Sequence, residues 1–431
     1  YRQDAELRAR LQILVANLMA EQRNYKGARL VLERVSMSAR QTQSRALLAE
    51  VECRLAELDA ASGAAQAGEG RFDAAMRTLS EDARDDAAAL VTCYRGRASV
   101  NARKLRPQAA LDDAQAALRL IGTPRPAQVQ TGVALQRTRA AAQVATGQVG
   151  PAIETYEQQL RVAESGTSGL GVMGSVIANN LGVTLVRVGQ WQQASLAYER
   201  GLALSGPTGA SSDHALLVNL ARLLIDMGRA GEAMPLLEAA QAQAAAAGDL
   251  LFQGLATLNL AGAHCEQLQW ALCDATQKAA RATLQGVVPP ERAIWAGPDM
   301  LVARVALAAA DLPRAQQLLQ AAMARFDAAK DTSPSRARAL GQLARVEALR
   351  GDFGSALTHA SAALDHARQV SANMPRSAWV GAALLDRAVV RRSQGQHDDA
   401  RRDLADALDH LRPSAGPLAP ATREAEQLLR D

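Results

Sequence analysis

Asn180, Asn219 and Asn259 are three of the chain's eight asparagines, and they stand 39 and 40 residues apart. A carboxamide offers both a donor and an acceptor, so an amide repeated at a near-constant interval suits the recurring N–H and C=O groups of an extended peptide. Asn179 adds an amide beside the first. Arginines recur on a similar beat. Arg222, Arg304 and Arg345 share one register, and Arg187, Arg338 and Arg392 are expected to face the same side. Guanidinium forks bind carboxylates through paired hydrogen bonds, so such a row would select acidic side chains or a free carboxylate. Asp226, Glu266 and Asp386 interleave with the arginines and offset part of their charge. The competing account is that the amides bond between neighbouring structural units and the arginines form a solvated face.

Other chemistry is sparse. Of the four cysteines, Cys53, Cys93, Cys265 and Cys273, the last two are separated by seven residues that read as a turn, which sets them opposite each other across a hairpin. A disulfide there would mark an oxidising compartment; the alternative is two small buried thiols in a reducing one. No His or second Cys pair has ligand spacing, so no metal or cofactor is expected. The six histidines, His214, His264, His359, His366, His397 and His410, form no H-E-x-x-H motif and have no evident nucleophile partner. No catalytic residue and no enzymatic activity are expected of this chain. Gly169-Leu170-Gly171-Val172-Met173-Gly174 fits G-x-G-x-x-G, but the dinucleotide motif needs a preceding strand and a βαβ unit. It reads instead as a loop leading into a helix.

The elements that position these residues follow from a repeat. At 431 residues the chain exceeds the roughly 250–300 that one compact core supports. Aromatic residues are only 3% of it, and alanine dominates, as suits close-packed helices. Turns recur as Gly-x-aromatic with Ala three residues on: Phe72 and Ala75, Trp191 and Ala194, Phe353 and Ala356. Anchoring on that position gives Ala28, Ala75, Ala110, Ala152, Ala194, Ala233, Cys273, Ala315, Ala356 and Ala400, at intervals of 47, 35, 42, 42, 39, 40, 42, 41 and 44. Twelve residues before each anchor the residue is always Ala or Gly, from Ala16 and Gly63 to Ala388. Two antiparallel helices need small residues where their axes come closest, and an aromatic three before the anchor (Tyr25, Phe72, Trp191, Trp270, Phe353) plugs the hairpin end. Glycines five before it, Gly70, Gly147, Gly189, Gly228, Gly351 and Gly395, supply the left-handed residue that ends the first helix. The 47-residue first interval leaves Gln41 to Glu69 as one long helical stretch or two short ones.

This pattern resembles the tetratricopeptide repeat (TPR) over essentially the whole chain. Its period is closer to the long variant of about 42 residues seen in kinesin light chains and many bacterial signalling proteins. The resemblance implies an all-α, right-handed superhelical solenoid of about ten helix-turn-helix repeats over 1–420, with a capping helix over 421–431. It places the first helices on a concave face, where Asn180, Asn219 and Asn259 match the asparagine ladder of kinesin-light-chain-like repeats and would grip a protein or extended peptide. The two-lysine carboxylate clamp of chaperone-binding TPRs is not present as such. The cysteine-rich Helicobacter TPR-like family staples hairpins with the Cys265/Cys273 spacing, though between one repeat and the next.

Net charge is +4 with no block of five basic residues, so neither nucleic acid nor membrane surface is an expected partner. No run of 18 apolar residues spans a bilayer, and the start at Tyr1 without methionine reads as an excised piece. The segment Ala407 to Leu429 resembles the tails of TPR regions in proteobacterial membrane-anchored serine/threonine kinases. That resemblance implies a periplasmic sensory or scaffolding module. The alternative is a cytoplasmic regulator, the TPR arm of a transcription factor or adaptor.

Overall fold

A computed structural model describes residues 2–22, 24–62, 65–80, 84–123, 128–165, 171–205, 214–372 and 374–431. These residues hold 21 α-helices and no strand. They fall into two compact units, Tyr1–Gln159 and Leu160–Asp431. The division lies inside a helix, Val149–Glu164.

Unit 1 contains the pairs α1 (Arg2–Glu21) with α2 (Tyr25–Gln41), α3 (Arg45–Ala61) with α4 (Ala65–Met76), α5 (Arg84–Arg103) with α6 (Pro107–Ile121), and α7 (Val129–Ala145) with the first part of α8 (Val149–Glu164). Unit 2 continues with α9 (Gly171–Arg187) and α10 (Trp191–Ser205), α11 (His214–Asp226) and α12 (Ala230–Ala246), and α13 (Leu250–Glu266) and α14 (Trp270–Gln285). It ends with α15 (Ala296–Ala308) and α16 (Leu312–Ala328), α17 (Pro334–Leu349) and α18 (Phe353–Val370), α19 (Ala378–Ser393) and α20 (His397–Ser414), and a last helix, α21 (Pro420–Arg430).

The tight turn inside each hairpin explains this regularity. Gly147, Gly189, Gly228, Gly351 and Gly395 all have φ between 78° and 82°. At each, the next residue donates its N–H back across the turn, as Gln190 does to the Leu185 carbonyl at 2.9 Å. Leu105, Leu268 and Ala310 hold the same position with φ of 55–60°, so this turn forms even where a side chain is strained by it. Second helices then start on caps such as Asp311, whose carboxylate accepts from the Arg314 N–H at 3.1 Å. The small-residue column lies where the paired helices touch. Ala98, Ala140, Ala221, Ala261 and Ala344 are fully buried, and a Cβ on Gly182 would overlap the Tyr198 ring.

Repeat two departs from the expected register. Gly70, Phe72 and Ala75 are interior residues of α4, and the turn precedes Ala65. The anchor position, fourth in the second helix, belongs to Gly68, where a Cβ would sit 2.7 Å from the Ala56 carbonyl oxygen. Gly68 replaces Ala75 and Ala56 replaces Gly63, which lies outside the described residues. The first two intervals become 40 and 42. Gly70-Arg71-Phe72 mimics a turn, but Phe72 is fully buried against Cys53, Cys93 and Val100, a packing role two helical turns further on. Gln41 to Glu69 is therefore the end of α2, all of α3 and the start of α4. In the G-x-G-x-x-G segment, Gly171 opens α9, while Gly169 and Leu170 lie outside the described residues.

Disulfides join Cys53 of α3 to Cys93 of α5 and Cys265 of α13 to Cys273 of α14, each with Cα atoms 5.2 Å apart. The first links successive repeats and the second crosses one hairpin. Thiol titration of the denatured, unreduced chain should find no free thiol, and four after reduction. Opening Cys53–Cys93, which closes a loop of 40 residues, should cost about 4 kcal/mol on the chain-entropy estimate. Opening Cys265–Cys273, which closes one of 8, should cost about 2.5 kcal/mol. Denaturant titrations of the Cys53→Ala/Cys93→Ala and Cys265→Ala/Cys273→Ala pairs measure the difference.

Unit 2 closes on itself. The turn between α9 and α10 meets the start of α19: the Ala378 N–H donates to the Gly189 carbonyl at 2.9 Å, and Trp379 Nε1 donates to the Val186 carbonyl at 2.7 Å. The Trp379 ring stands edge-on to Trp191 with centroids 5.0 Å apart. Gly189 and Gly228 lie against the other side of the seam. A Cβ on Gly189 would overlap Ser377 Oγ and approach the Ala378 nitrogen to 2.8 Å, and one on Gly228 would overlap the Leu418 carbonyl oxygen.

Candidate functional site

Because unit 2 closes, its first helices surround an interior rather than an open face. Two adjoining cavities fill it. One, of ≈ 280 Å³, lies among α11, α13, α15 and α17, with Leu255, Leu258, Ile294, Met300 and Phe326 as apolar walls. The other, of ≈ 360 Å³, lies nearer the seam, beside Trp191, Trp379 and Ala421 of α21. Asp226, Glu266, Arg304, Arg338 and Gln342 border both and form a polar belt between them.

The belt is charged but balanced. Arg338 holds Asp226 through both terminal nitrogens, at 2.9 and 2.8 Å, with its guanidinium 5.1 Å from the centre of the Trp379 ring. Arg304 pairs with Glu266 at 2.8 Å. Arg345 pairs with Asp386 at 2.5 Å and reaches Glu424 of α21 at 2.6 and 3.2 Å. Arg222 makes only a long contact of 3.4 Å to Asp226, and its side chain is 46% exposed to the interior. Four guanidinium groups thus meet four carboxylates. Burial works to raise the Asp226 pKa, but Arg222 and Arg338 hold it below the ordinary value. Asp226 favours the charged form of Arg222, yet burial and the like charges of Arg338 and Arg304 outweigh it and lower that arginine. Burial opposes the charge on Arg345, but Asp386 and Glu424 raise its pKa. Burial likewise raises Asp386.

Two amides in this interior have no side-chain hydrogen-bond partner among the described residues. Asn259 is 9% exposed and makes no side-chain hydrogen bond among the described residues. Gln342 Oε1 is shut from solvent without a donor. They occupy the same repeat position, in α13 and α17, as do Asn180, Asn219, Leu301 and Asp386 in theirs.

The other expected residues are arranged differently. Asn219 donates to the Asn179 Oδ1 at 2.9 Å, a bond between neighbouring repeats. Asn180 and Arg187 are half-buried in α9 and border neither cavity. Arg392 turns away to the Leu428 carbonyl at 3.0 Å. The amide row is therefore interrupted where Asn219 is already bonded, and Arg304 and Arg345 carry their own counter-ions instead of presenting a free cationic row. The sequence reading missed Glu424, Trp379 and the role of Gln342. Gln342 alone had a signal, its place in the asparagine register. Among the described residues no cluster of three metal-ligating side chains forms.

No family model and no curated protein matches the sequence. Among solved structures, the chain is similar to a Rap protein complexed with competence and sporulation factor, at 12% identity over 79% of this chain and 96% of that one, with a TM-score of 0.53. It is also similar to the apo form of RapI, at 12% identity over 65% of this chain and 99% of that one, with a TM-score of 0.51. These likenesses show the fold, an all-α helical-repeat solenoid of the TPR type.

Proposed function

We propose that the chain is a recognition module that takes a protein or extended peptide segment inside unit 2. The pair of unpartnered amides, Asn259 and Gln342, carries this reading. The Gln342 Oε1, shut from solvent without a donor, costs roughly 1–3 kcal/mol, which the N–H of a bound peptide would relieve, and the Asn259 amide on the cavity wall can serve either peptide group. Asn180 and Asn219, at the same repeat position in repeats five and six, border neither cavity and would meet the segment only where it leaves the interior, with Asn219 already donating to Asn179. Arg222, loosely paired, is the guanidinium best placed to meet a ligand carboxylate. Arg187 stands beyond it, and Arg304 and Arg345 brace the polar belt. A Rap protein of the same fold is complexed with competence and sporulation factor, which supports ligand binding by such a solenoid.

Two disulfides favour an oxidising compartment. That favours the periplasmic sensory or scaffolding region of a larger bacterial signalling protein, such as a membrane-anchored serine/threonine kinase, over the cytoplasmic regulator. Among the described residues no helix is long and apolar enough to cross a membrane.

The test uses a pooled library of unmodified pentapeptides, with retention by the oxidised chain read by mass spectrometry. Peptides sharing an apolar side chain should be enriched, and Asn259→Leu and Gln342→Leu should each weaken their binding at least about tenfold, or 1.4 kcal/mol. Gln342→Leu should also unfold no earlier than the parent, because it removes a buried acceptor that has no donor. No enrichment, or enrichment indifferent to both substitutions, would sink the reading.

A further inference from the structure

Unit 1 holds a second concavity that the unit 2 reading does not use. It is a cavity of ≈ 340 Å³ bordered by Arg54, Arg95, Arg103, Glu57, Tyr25 and Ser99. Among the described residues its charge is unbalanced: Glu57 is the one carboxylate bordering it, and that group is shared at poor range, 3.2 and 3.5 Å from Arg54 Nη1 and 3.8 Å from Arg95. Arg103, exposed at the end of α5, makes no ion pair among the described residues. The Arg54 side chain is only 15% exposed, and its Nε is shut from solvent with no acceptor. Arg97, on the same helix as Arg95, by contrast meets Asp113 and Asp73 in full.

The cationic groups are also held in place. The Cys53–Cys93 bridge ties α3 to α5 one residue from Arg54 and two from Arg95. Gly96 leaves room for the Glu57 side chain, whose Cδ would lie 2.8 Å from a Cβ there. Burial, with the like charge of Arg54, lowers the Arg95 pKa against the pull of Glu57 and Glu50. Desolvated guanidinium groups short of counter-charge are stabilised by an anion that accepts from several N–H groups at once.

We propose that this unit 1 pocket binds a compact multivalent oxyanion of the phosphate class, with Arg54 and Arg95 as its principal donors and Arg103 closing the open side. A tetrahedral oxyanion presents acceptors in several directions, as three converging guanidinium forks require, whereas a single carboxylate already sits there unable to serve them. The cavity exceeds by about tenfold the roughly 30 Å³ share of one water, so the anion has room to carry an organic group.

Calorimetric titration of the full oxidised chain with inorganic phosphate, pyrophosphate and O-phosphoserine tests this, with sodium chloride and sodium acetate at matched ionic strength as controls. All three phosphate-class anions should bind saturably. Arg54→Gln and Arg95→Gln should each weaken binding at least tenfold, and Arg103→Gln about threefold. Glu57→Gln should tighten it several-fold, a gain that misfolding does not produce. O-phosphoserine stronger than phosphate identifies an organic ester as the source; equal affinities identify the free anion. Binding matched by chloride or acetate, or unchanged in both Glu57→Gln and Arg54→Gln, overturns the proposal.

Discussion

Replacing Gly189 with alanine will destabilise unit 2 by about 3 kcal/mol, while the same replacement at Gly351 will cost about 1 kcal/mol. The two glycines have nearly equal φ, 79° and 81°, so the backbone strain of an L-residue is the same at both, on the order of 1 kcal/mol. They differ in surroundings. A Cβ on Gly351 meets nothing within 4 Å, while one on Gly189 is driven into Ser377 and the Ala378 nitrogen. The excess, about 1–3 kcal/mol for overpacking a filled site, is the cost of prising α19 from the α9–α10 turn. The Ala378–Gly189 hydrogen bond is lost with it. Urea titration of both variants gives the energies. Tryptophan emission gives the place, since Trp191 and Trp379 are two of four tryptophans. A red shift in Gly189→Ala alone marks the seam. Equal costs at the two positions would show that the seam adds nothing.

Arg345→Ala should cost about 2–3 kcal/mol, somewhat below the 3–5 kcal/mol typical of a fully buried ion pair broken on one side. The discount reflects Glu424, which is 41% exposed and free to turn to solvent, whereas Asp386 is only 17% exposed. The loss will depend on pH in a defined direction. Burial already raises Asp386 above its ordinary value, and losing Arg345 raises it further. A carboxyl with a raised folded-state pKa destabilises the fold when ionised, and that penalty disappears as pH falls and the folded state takes up the proton first. The gap between parent and variant should therefore be widest near pH 7 and narrow towards about pH 4. Asp386→Asn in the Arg345→Ala background should recover most of the stability at neutral pH. If it recovers none, the loss is one of packing and not of charge.

Local periodicity made the hairpins legible. The small residues at helix contacts and the left-handed turn glycines both depend on neighbours within one repeat, and a sequence displays those directly. Repeat two was misplaced because Gly70-Arg71-Phe72 copies the turn signature while Gly68, the true close-contact residue, sits two residues earlier with no aromatic before it. The register of Asn259, Gln342 and Asp386 was equally readable, since all three hold one repeat position. Their partners were not. Whether an arginine of one repeat meets an acid of another depends on curvature summed over many repeats, and no local spacing encodes that sum. Arg338 meeting Asp226, 112 residues away, and Trp379 reaching the Val186 carbonyl, 193 residues away, are products of that curvature.

That last contact changes how unit 2 should lose its structure. A linear array of repeats melts like a one-dimensional chain of neighbours, fraying from its ends because terminal repeats have half the interfaces. Joining repeat five to repeat ten removes one pair of ends. Repeats in between then open only by losing two interfaces, or by first breaking the seam, so partial unfolding is penalised and the transition sharpens. The same closure has a kinetic counterpart. A contact spanning nearly two hundred residues must await the ordering of everything between, which raises contact order and slows the final step of folding. Unit 2 is thus expected to unfold as one cooperative body with a slow closing phase, a behaviour that amide hydrogen exchange, uniform from repeat five to repeat ten, would display.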